Sequence, residues 1–174
     1  MEIRVVGYAH PDAVRLIAEV QQEYVVRYGG MDVTPVDASE FDLPEGLFAV
    51  GYLDGEPVAC GGWRARGADE RGLQDGDAEL KRMYVVPAAR GRGLARAMLR
   101  RLEATAAGAG RGRMVLETGT EQPEAIGLYS SEGYAPVRPF GVYRDEPESV
   151  YLGKQLDPPA GPGTHPAGLG RELV

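Results

Sequence analysis

The sequence predicts a layered α/β (α+β) domain, a mixed central sheet flanked by helices, and three observations carry that prediction. Asp54-Gly55 sits between two apolar runs, a strong hairpin signal because both central residues of so tight a turn need positive φ. Residues 78–118 read strand, glycine-containing turn, amphipathic helix, strand, which is the order of a right-handed parallel βαβ unit. Residues 11–28 place apolar side chains at a helical period. A sheet that holds both a hairpin and a parallel crossover is mixed.

In chain order, residues 2–6 form a short apolar strand. The helix from Pro11 to Tyr28 follows, with Val14, Ile17, Tyr24, Val25 and Tyr28 on its stripe and Gln21 as a polar break. His10, Pro11 and Asp12 start it and Gly29-Gly30 ends it. Residues 31–46, with Pro35, Pro44 and several acids, read as a loop with room for one helical turn. Residues 47–53 and 56–63 are the hairpin strands, and 66–77, rich in Gly and Asp, is a loop. A strand over 78–86 is stopped by Pro87, and a helix over 92–107 carries Leu94, Met98, Leu99 and Leu102 on one face. The next strand is 113–118. Pro123 suits the first turn of a short helix over 123–132, and Gly133 its C-terminal cap. Residues 134–137 and 149–154 close the sheet. The domain is expected to span 1–156, and residues 157–174, rich in Pro and Gly, are expected to be a disordered tail.

The chain of 174 residues is long enough for one domain with its own core. A formal net charge of -7 argues against a nucleic-acid partner, which would require an excess of Lys and Arg, and is compatible with a cationic amine. Cys60 is the only cysteine, so no intrachain disulfide can form. The first residues lack the basic and apolar regions of a signal peptide, and no apolar run approaches the ~20 residues that span a bilayer. A cytoplasmic protein without membrane association is expected. His10 and His165 lie in a loop and in the tail, so no metal site is expected.

The most informative stretch is Val85-Val-Pro-Ala-Ala-Arg-Gly-Arg-Gly-Leu-Ala95, a strand running through a turn into a helix. The first N–H groups of a helix lack intrahelical acceptors and carry the positive end of its dipole, which suits a pyrophosphate. Gly91 and Gly93 let the backbone approach the anion, and Arg90, Arg92 and Arg96 concentrate positive charge in an acidic chain. The lysine-containing phosphate loop of nucleotide triphosphatases does not occur here. The dinucleotide fingerprint fails because Arg96 stands where it needs Gly or Ala.

The surviving pattern is Arg, two residues, Gly, one residue, Ala, spelled Arg90-Gly-Arg-Gly-Leu-Ala95. It resembles the acetyl-CoA signature of the GNAT N-acetyltransferase family, in which Gln or Arg is followed at the same spacing by Gly and then Gly or Ala. Gln122-Pro-Glu-Ala-Ile-Gly-Leu-Tyr129, followed by Ser-Ser-Glu-Gly-Tyr134, resembles that family's later segment, with Gln122 in place of the usual Asn. The resemblance extends over about residues 2–155 and is most specific over 78–134. It implies a GNAT-like acyl-CoA N-acyltransferase fold and acetyl-CoA as cosubstrate, with no metal. It further implies backbone contacts from Met83, Tyr84 and Val85 to the pantetheine arm. The amides of Arg90, Gly91, Arg92, Gly93, Leu94 and Ala95 would meet the phosphates, and Gln122 would hydrogen-bond CoA. A homodimer is compatible with the resemblance alone.

Acetyl transfer to an amine poses two proton problems. An alkylammonium, with a pKa near ~10, must lose a proton before it attacks, and the departing thiolate benefits from gaining one. Glu79 is the candidate base, at the position from which members of the family draw a glutamate. The strand's period of two puts it on the face of Lys81, Met83 and Val85, and its other reading is a structural carboxylate paired with Lys81 or Arg82. Glu117 on the neighbouring strand is the alternative base, and a solvent-facing charge is its simpler reading. Tyr129 falls where the family places the tyrosine that protonates the thiolate; otherwise it is a core aromatic beside Leu128. The amide of Val85, or of Met83 in a bulged strand, is the candidate donor to the thioester carbonyl. Cys60 reads as a buried inert thiol. Tyr24, Tyr28, Asp37, Glu40 and Trp63 could line a substrate pocket, but packing and solvated loop charge are the simpler readings.

The expected function is an acetyl-CoA-dependent N-acetyltransferase acting on a primary amine, small-molecule or peptide, by direct attack in a ternary complex. The alternative is a non-catalytic acyl-CoA-binding regulatory domain of the same fold. The loops 28–46, 66–77 and 138–148, expected to set acceptor choice, carry no recognisable motif.

Overall fold

The computed structural model describes residues 1–69 and 72–157. The expected disordered tail lies, from residue 158, outside the described residues. Strands β1 (Glu2–Val6), β2 (Gly46–Leu53), β3 (Glu56–Arg66), β4 (Asp77–Val85), β5 (Arg113–Gly119), β6 (Ala135–Pro136) and β7 (Ser149–Gln155) form one sheet. Its order is β1-β2-β3-β4-β5-β7-β6. Helices α1 (Pro11–Tyr28), α2 (Leu94–Gly108) and α3 (Pro123–Ser131) flank it, with short 3-10 helices at Ala38–Phe41 and Pro87–Ala89. Neighbours are antiparallel except β4 and β5, so the sheet is mixed, as expected.

Local chemistry sets the element ends. Asp54 (φ 51°) and Gly55 (φ 84°) both adopt the left-handed region that the β2–β3 hairpin requires. His10 caps α1 by accepting the Asp12 amide at 3.2 Å, and Gly29 closes it with φ 76° while its N–H reaches the Val25 carbonyl. One face of the sheet packs on α2 through Trp63, Leu80, Met98, Leu99 and Leu102. The opposite face packs on α1 through Leu16, Val20, Phe48, Cys60 and Tyr84. Burying each such large side chain contributes about 1.5–3 kcal/mol.

Three sequence expectations need correction. Helix α2 begins at Leu94 rather than Arg92, because Gly91 (φ 72°) and Gly93 (φ 75°) hold the preceding turn in a left-handed conformation. The strand expected over 134–137 is only Ala135–Pro136, since Pro136 cannot donate to a ladder. The strand parity of β4 also breaks. Cys60 pairs with Tyr84 but Gly62 pairs with Lys81, so Arg82 and Met83 together oppose Gly61 in a β-bulge. Arg82 takes φ 58° there. Ala78 and Leu80 therefore share the α2 face with Met83 and Val85, and Glu79 and Lys81 point to the other side. The expected common face of Glu79, Lys81, Met83 and Val85 does not exist.

Past the bulge the sheet opens. Parallel pairing of β4 with β5 covers only Asp77–Glu79 against Arg113–Val115, while β5 stays bonded to β7 along its length. The C-terminal halves of β4 and β5 diverge and leave a cleft at the strand ends, the usual binding position in α/β sheets.

Candidate active site

Two cavities open along this cleft, and both reach Gln122 at the start of α3. The first, about 320 Å³, is built on the β4–α2 turn. It is lined by Met83, Tyr84 and Val85, by Arg90, Gly91, Gly93, Leu94 and Ala95 of the turn and helix start, and by Tyr129. The structure thus brings together most of the residues singled out for the cofactor. Arg92, between the two glycines, is exposed and is not in the cavity wall.

The backbone here fits an extended ligand with a pyrophosphate. Val86 donates to the Val58 carbonyl across the sheet at 2.9 Å. Strand amides alternate in direction, so the Val85 N–H points into the cleft, on the side where Val85's carbonyl accepts Arg90 Nε at 2.9 Å. Gly91 and Gly93 have nothing within 4 Å of where a Cβ would stand. No side chain caps α2 at Gly93, which leaves its first amides and its dipole for an anion. Of the expected amide donors, Arg90 is the exception, because its N–H bonds the Pro87 carbonyl at 3.2 Å. Its guanidinium is also committed, to Glu23 and to the face of Tyr84. Arg90 braces the turn.

Tyr129 lies in the same wall, buried on α3 with its ring 5.5 Å from Tyr134. Burial alone pushes its hydroxyl above the ordinary tyrosine range, so the group stays protonated and can donate.

The second cavity, about 300 Å³, lies between α1, the far ends of β4 and β5, and the loop before β7. Tyr24, Tyr28 and Tyr143 form aromatic walls, and Lys81, Arg82, Asp32, Glu117, Glu146 and Glu148 supply charge. Asp32 binds both cations, Lys81 at 3.3 Å and Arg82 more closely. Burial works to raise its pKa, but Lys81, Thr34 and Arg82 outweigh it and hold the carboxyl below the usual range. Glu117 is the opposite case. Burial holds its carboxyl above the ordinary range, only partly offset by the Ser149 hydroxyl, which donates to it at 2.9 Å, and by Lys81. A raised carboxylate in a cleft is a stronger base than an exposed one.

Glu79 lies elsewhere. Its carboxylate takes Arg64 Nε at 2.9 Å, with Arg66 at 3.6 Å and Lys81 at 3.8 Å, and it lines neither cavity. Gln122 bridges the two cavities, its amide nitrogen donating to the Tyr28 hydroxyl at 3.3 Å. Cys60 is fully buried, its thiol donating to the Arg82 carbonyl at 3.3 Å, and burial pushes its pKa up. Trp63 is core, donating to the Thr105 hydroxyl at 3.0 Å. Asp37 caps the first 3-10 helix and Glu40 pairs with Arg64 at 2.7 Å, so these two loop acids are structural.

Tyr24 and Tyr28, readable from the sequence as pocket lining or as packing, wall the second cavity, and Tyr24 also packs on the α1 side of the core. Asp32, Arg82 and Tyr143 carry no sequence signal for it: Asp32 meets Arg82 across 50 residues of chain, and only the fold joins them. Among the described residues there is no cluster of three or more His, Cys, Asp or Glu that could hold a metal ion. No helix among them is long and apolar enough to cross a membrane.

Comparison with known proteins agrees with the fold. Residues 15–134 match the model of the Acetyltransferase (GNAT) family. An IAA acetyltransferase of Azospirillum brasilense is 36% identical over 143 residues, covering 82% of this chain and 90% of that protein. Among solved structures, a Klebsiella pneumoniae protein assigned as an acyl-CoA N-acyltransferase superposes with a TM-score of 0.69 at 28% identity, covering 90% of this chain and 97% of that one. The Salmonella typhimurium acetyltransferase yncA, solved with its cofactor acetyl-CoA, gives a TM-score of 0.59 at 23% identity, covering 95% and 99%.

Proposed function

The chain belongs to the GNAT acetyltransferase family, and on that premise we propose that it transfers the acetyl group of acetyl-CoA to a primary amine held in the second cavity. The observation that carries the reading is the meeting of two unlike cavities at Gln122: a glycine turn with a buried tyrosine on one side, a raised glutamate on the other. When bound, acetyl-CoA supplies an activated acyl thioester. Met83 and Val85 present the bulged strand edge to its arm, the amides from Gly91 to Ala95 face its phosphates, and the Gln122 amide lies beside both. The Val85 N–H, free of sheet pairing, would donate to the thioester carbonyl.

Glu117 takes the proton that the acceptor ammonium must shed, and Tyr129 delivers one to the sulfur. The C–N bond forms as the C–S bond breaks, and the nitrogen sheds its second proton to solvent as the amide forms. Glu117 passes its proton to solvent and Tyr129 regains one, so ammonium and acetyl-CoA become amide, CoA thiol and one free proton. Glu117 fits the base role better than Glu79, whose charge is already committed to Arg64. The test is calorimetric titration with acetyl-CoA, CoA and ATP, followed by turnover of primary amines. Micromolar binding of both CoA species but not ATP, with release of CoA thiol when an amine is added, is the expected result. Binding without turnover of any amine would favour the non-catalytic acyl-CoA-binding reading, and no binding would overturn both.

A further inference from the structure

We propose that the acceptor is a dication: a primary amine that carries a second positive charge a few bonds from the attacking nitrogen. The inference rests on the acetyltransferase reading above and concerns the second cavity. Its wall holds two basic side chains, Lys81 and Arg82, and both are turned onto one carboxylate, Asp32. Arg82 is 5% exposed and Asp32 14%, so this group is desolvated, and its one surplus positive charge is answered by Glu117, which Lys81 also faces. The Arg82 guanidinium meets Asp32 through Nη1 while its buried Nε has no hydrogen-bond partner, and a substrate anion would have to displace the built-in carboxylate to reach the Nη1 edge.

Three more carboxylates line the same cavity: Glu117, Glu146 and Glu148. Glu146 and Glu148 have no cationic partner at ion-pair distance among the described residues, and Glu117 meets Lys81 only at longer range. Glu117 is deep, bonded only to the Ser149 hydroxyl, whereas Glu146 and Glu148 are exposed at the mouth on the loop that leads into β7. The cavity thus sets four carboxylates against two cations, with Glu117 at the floor and the surplus of negative charge at the rim. A monoamine would answer the floor and leave the rim unmatched. Tyr24, Tyr28 and Tyr143 add rings whose faces attract ammonium groups and whose edges pack on methylenes, which suits an alkyl chain between two cations. The glutamate at the floor then receives the reacting ammonium, and the rim pair holds the second charge and sets the direction of entry.

The test compares three acceptors of equal chain length with the full chain and saturating acetyl-CoA: 1,4-diaminobutane, 1-aminobutane and 4-aminobutanoic acid, scored by release of CoA thiol. The diamine is expected to show at least about tenfold higher kcat/KM than the monoamine at low ionic strength, with the amino acid lowest. That advantage should shrink as salt is raised, because the rim pair is solvent-exposed. Replacing both rim acids, Glu146→Gln with Glu148→Gln, should bring the ratio of diamine to monoamine towards one, and circular dichroism would show that the double variant folds. Equal rates for diamine and monoamine, or a preference for the amino acid, would overturn the proposal and leave amine acetylation standing. Failure of all three to release thiol would overturn the acetyltransferase reading itself, and the proposal with it.

Discussion

Arg64 on β3 and Glu79 on β4 are cross-strand partners whose side chains meet, Nε to Oε2 at 2.9 Å, with Arg64 only 4% exposed. Arg64 also reaches Glu40 at 2.7 Å and the Pro35 carbonyl at 2.9 Å, so one buried guanidinium ties the loop after α1 to the central strand. Glu79 is thus a structural counter-ion. Glu79→Gln keeps the shape but removes the charge that Arg64 requires, and should cost about 1–3 kcal/mol of stability. The kcat of the folded protein should stay within about threefold of the parent, far short of the loss expected for a general base. Urea unfolding and steady-state kinetics on the same preparation separate the outcomes, and a hundredfold loss of kcat at unchanged stability would restore Glu79 as the base.

Glu117 should govern the acid limb of the pH–rate profile. Its pKa is raised by burial, so kcat/KM should climb as pH rises through that elevated value and the carboxyl ionises. The stability sign follows from the same shift. A carboxyl raised on folding stabilises fully below its unfolded pKa and loses that contribution as pH rises through the folded value. Glu117→Gln should therefore lower kcat by about a hundredfold or more at neutral pH and flatten the acid limb, while thermal stability is unchanged or higher. A destabilised but active variant would contradict both roles.

Tyr129→Phe keeps the ring beside Tyr134 and removes only the hydroxyl. The expected result is a fall in kcat of about tenfold or more with acetyl-CoA affinity and melting temperature nearly unchanged. Unaltered kcat would remove Tyr129 from the proton path and leave the cavity assignment intact.

Gly93→Asp introduces a carboxylate at the start of α2 where the helix dipole and free amides await an anion. Asp tolerates positive φ better than most residues, so the turn at φ 75° should survive. Acetyl-CoA binding should weaken by at least about tenfold in calorimetry. Undiminished affinity in a folded variant would move the phosphates away from this turn.

Glu132 predicts the opposite pH behaviour from Glu117. Arg100 and Arg96, on α2, hold its carboxyl down at about 2 and so pin the end of α3 to that helix. A depressed carboxyl stabilises above its unfolded pKa and loses that contribution as pH falls through the folded value. Melting temperature should drop between about pH 4.5 and 2, and Glu132→Gln should remove much of that slope while lowering stability at neutral pH.

Much of the fold was legible because it rests on local rules. The Asp54-Gly55 hairpin, the helix at 11–28 and the crossover between β4 and β5 follow from turn chemistry and periodicity, and each stands where expected. The glycine turn was legible too, since Gly91, Gly93, Leu94 and Ala95 are consecutive or nearly so. What failed was the extrapolation of strand parity past Lys81. A bulge is a matter of two strands of unequal count, and nothing in residues 77–85 alone shows that Gly61 must face both Arg82 and Met83.

That break in parity is why Glu79 lies away from both cavities. A period of two applied through residues 79–85 puts Glu79 beside Met83, whereas the bulge sends it to the opposite side, into the hands of Arg64. Glu117, the alternative base of the sequence, reads there more simply as a solvent-facing charge, and the divergence of β4 from β5 is what turns it into the floor of a cleft. By itself the sequence determined the order of elements, the hairpin and the cofactor turn, because those depend on residues close together in the chain. The tertiary structure alone decided which carboxylate is paired with a buried guanidinium and which stands in a cleft. Ionisation in a cleft depends on burial and on partners tens of residues away, and these exist only when the chain is folded.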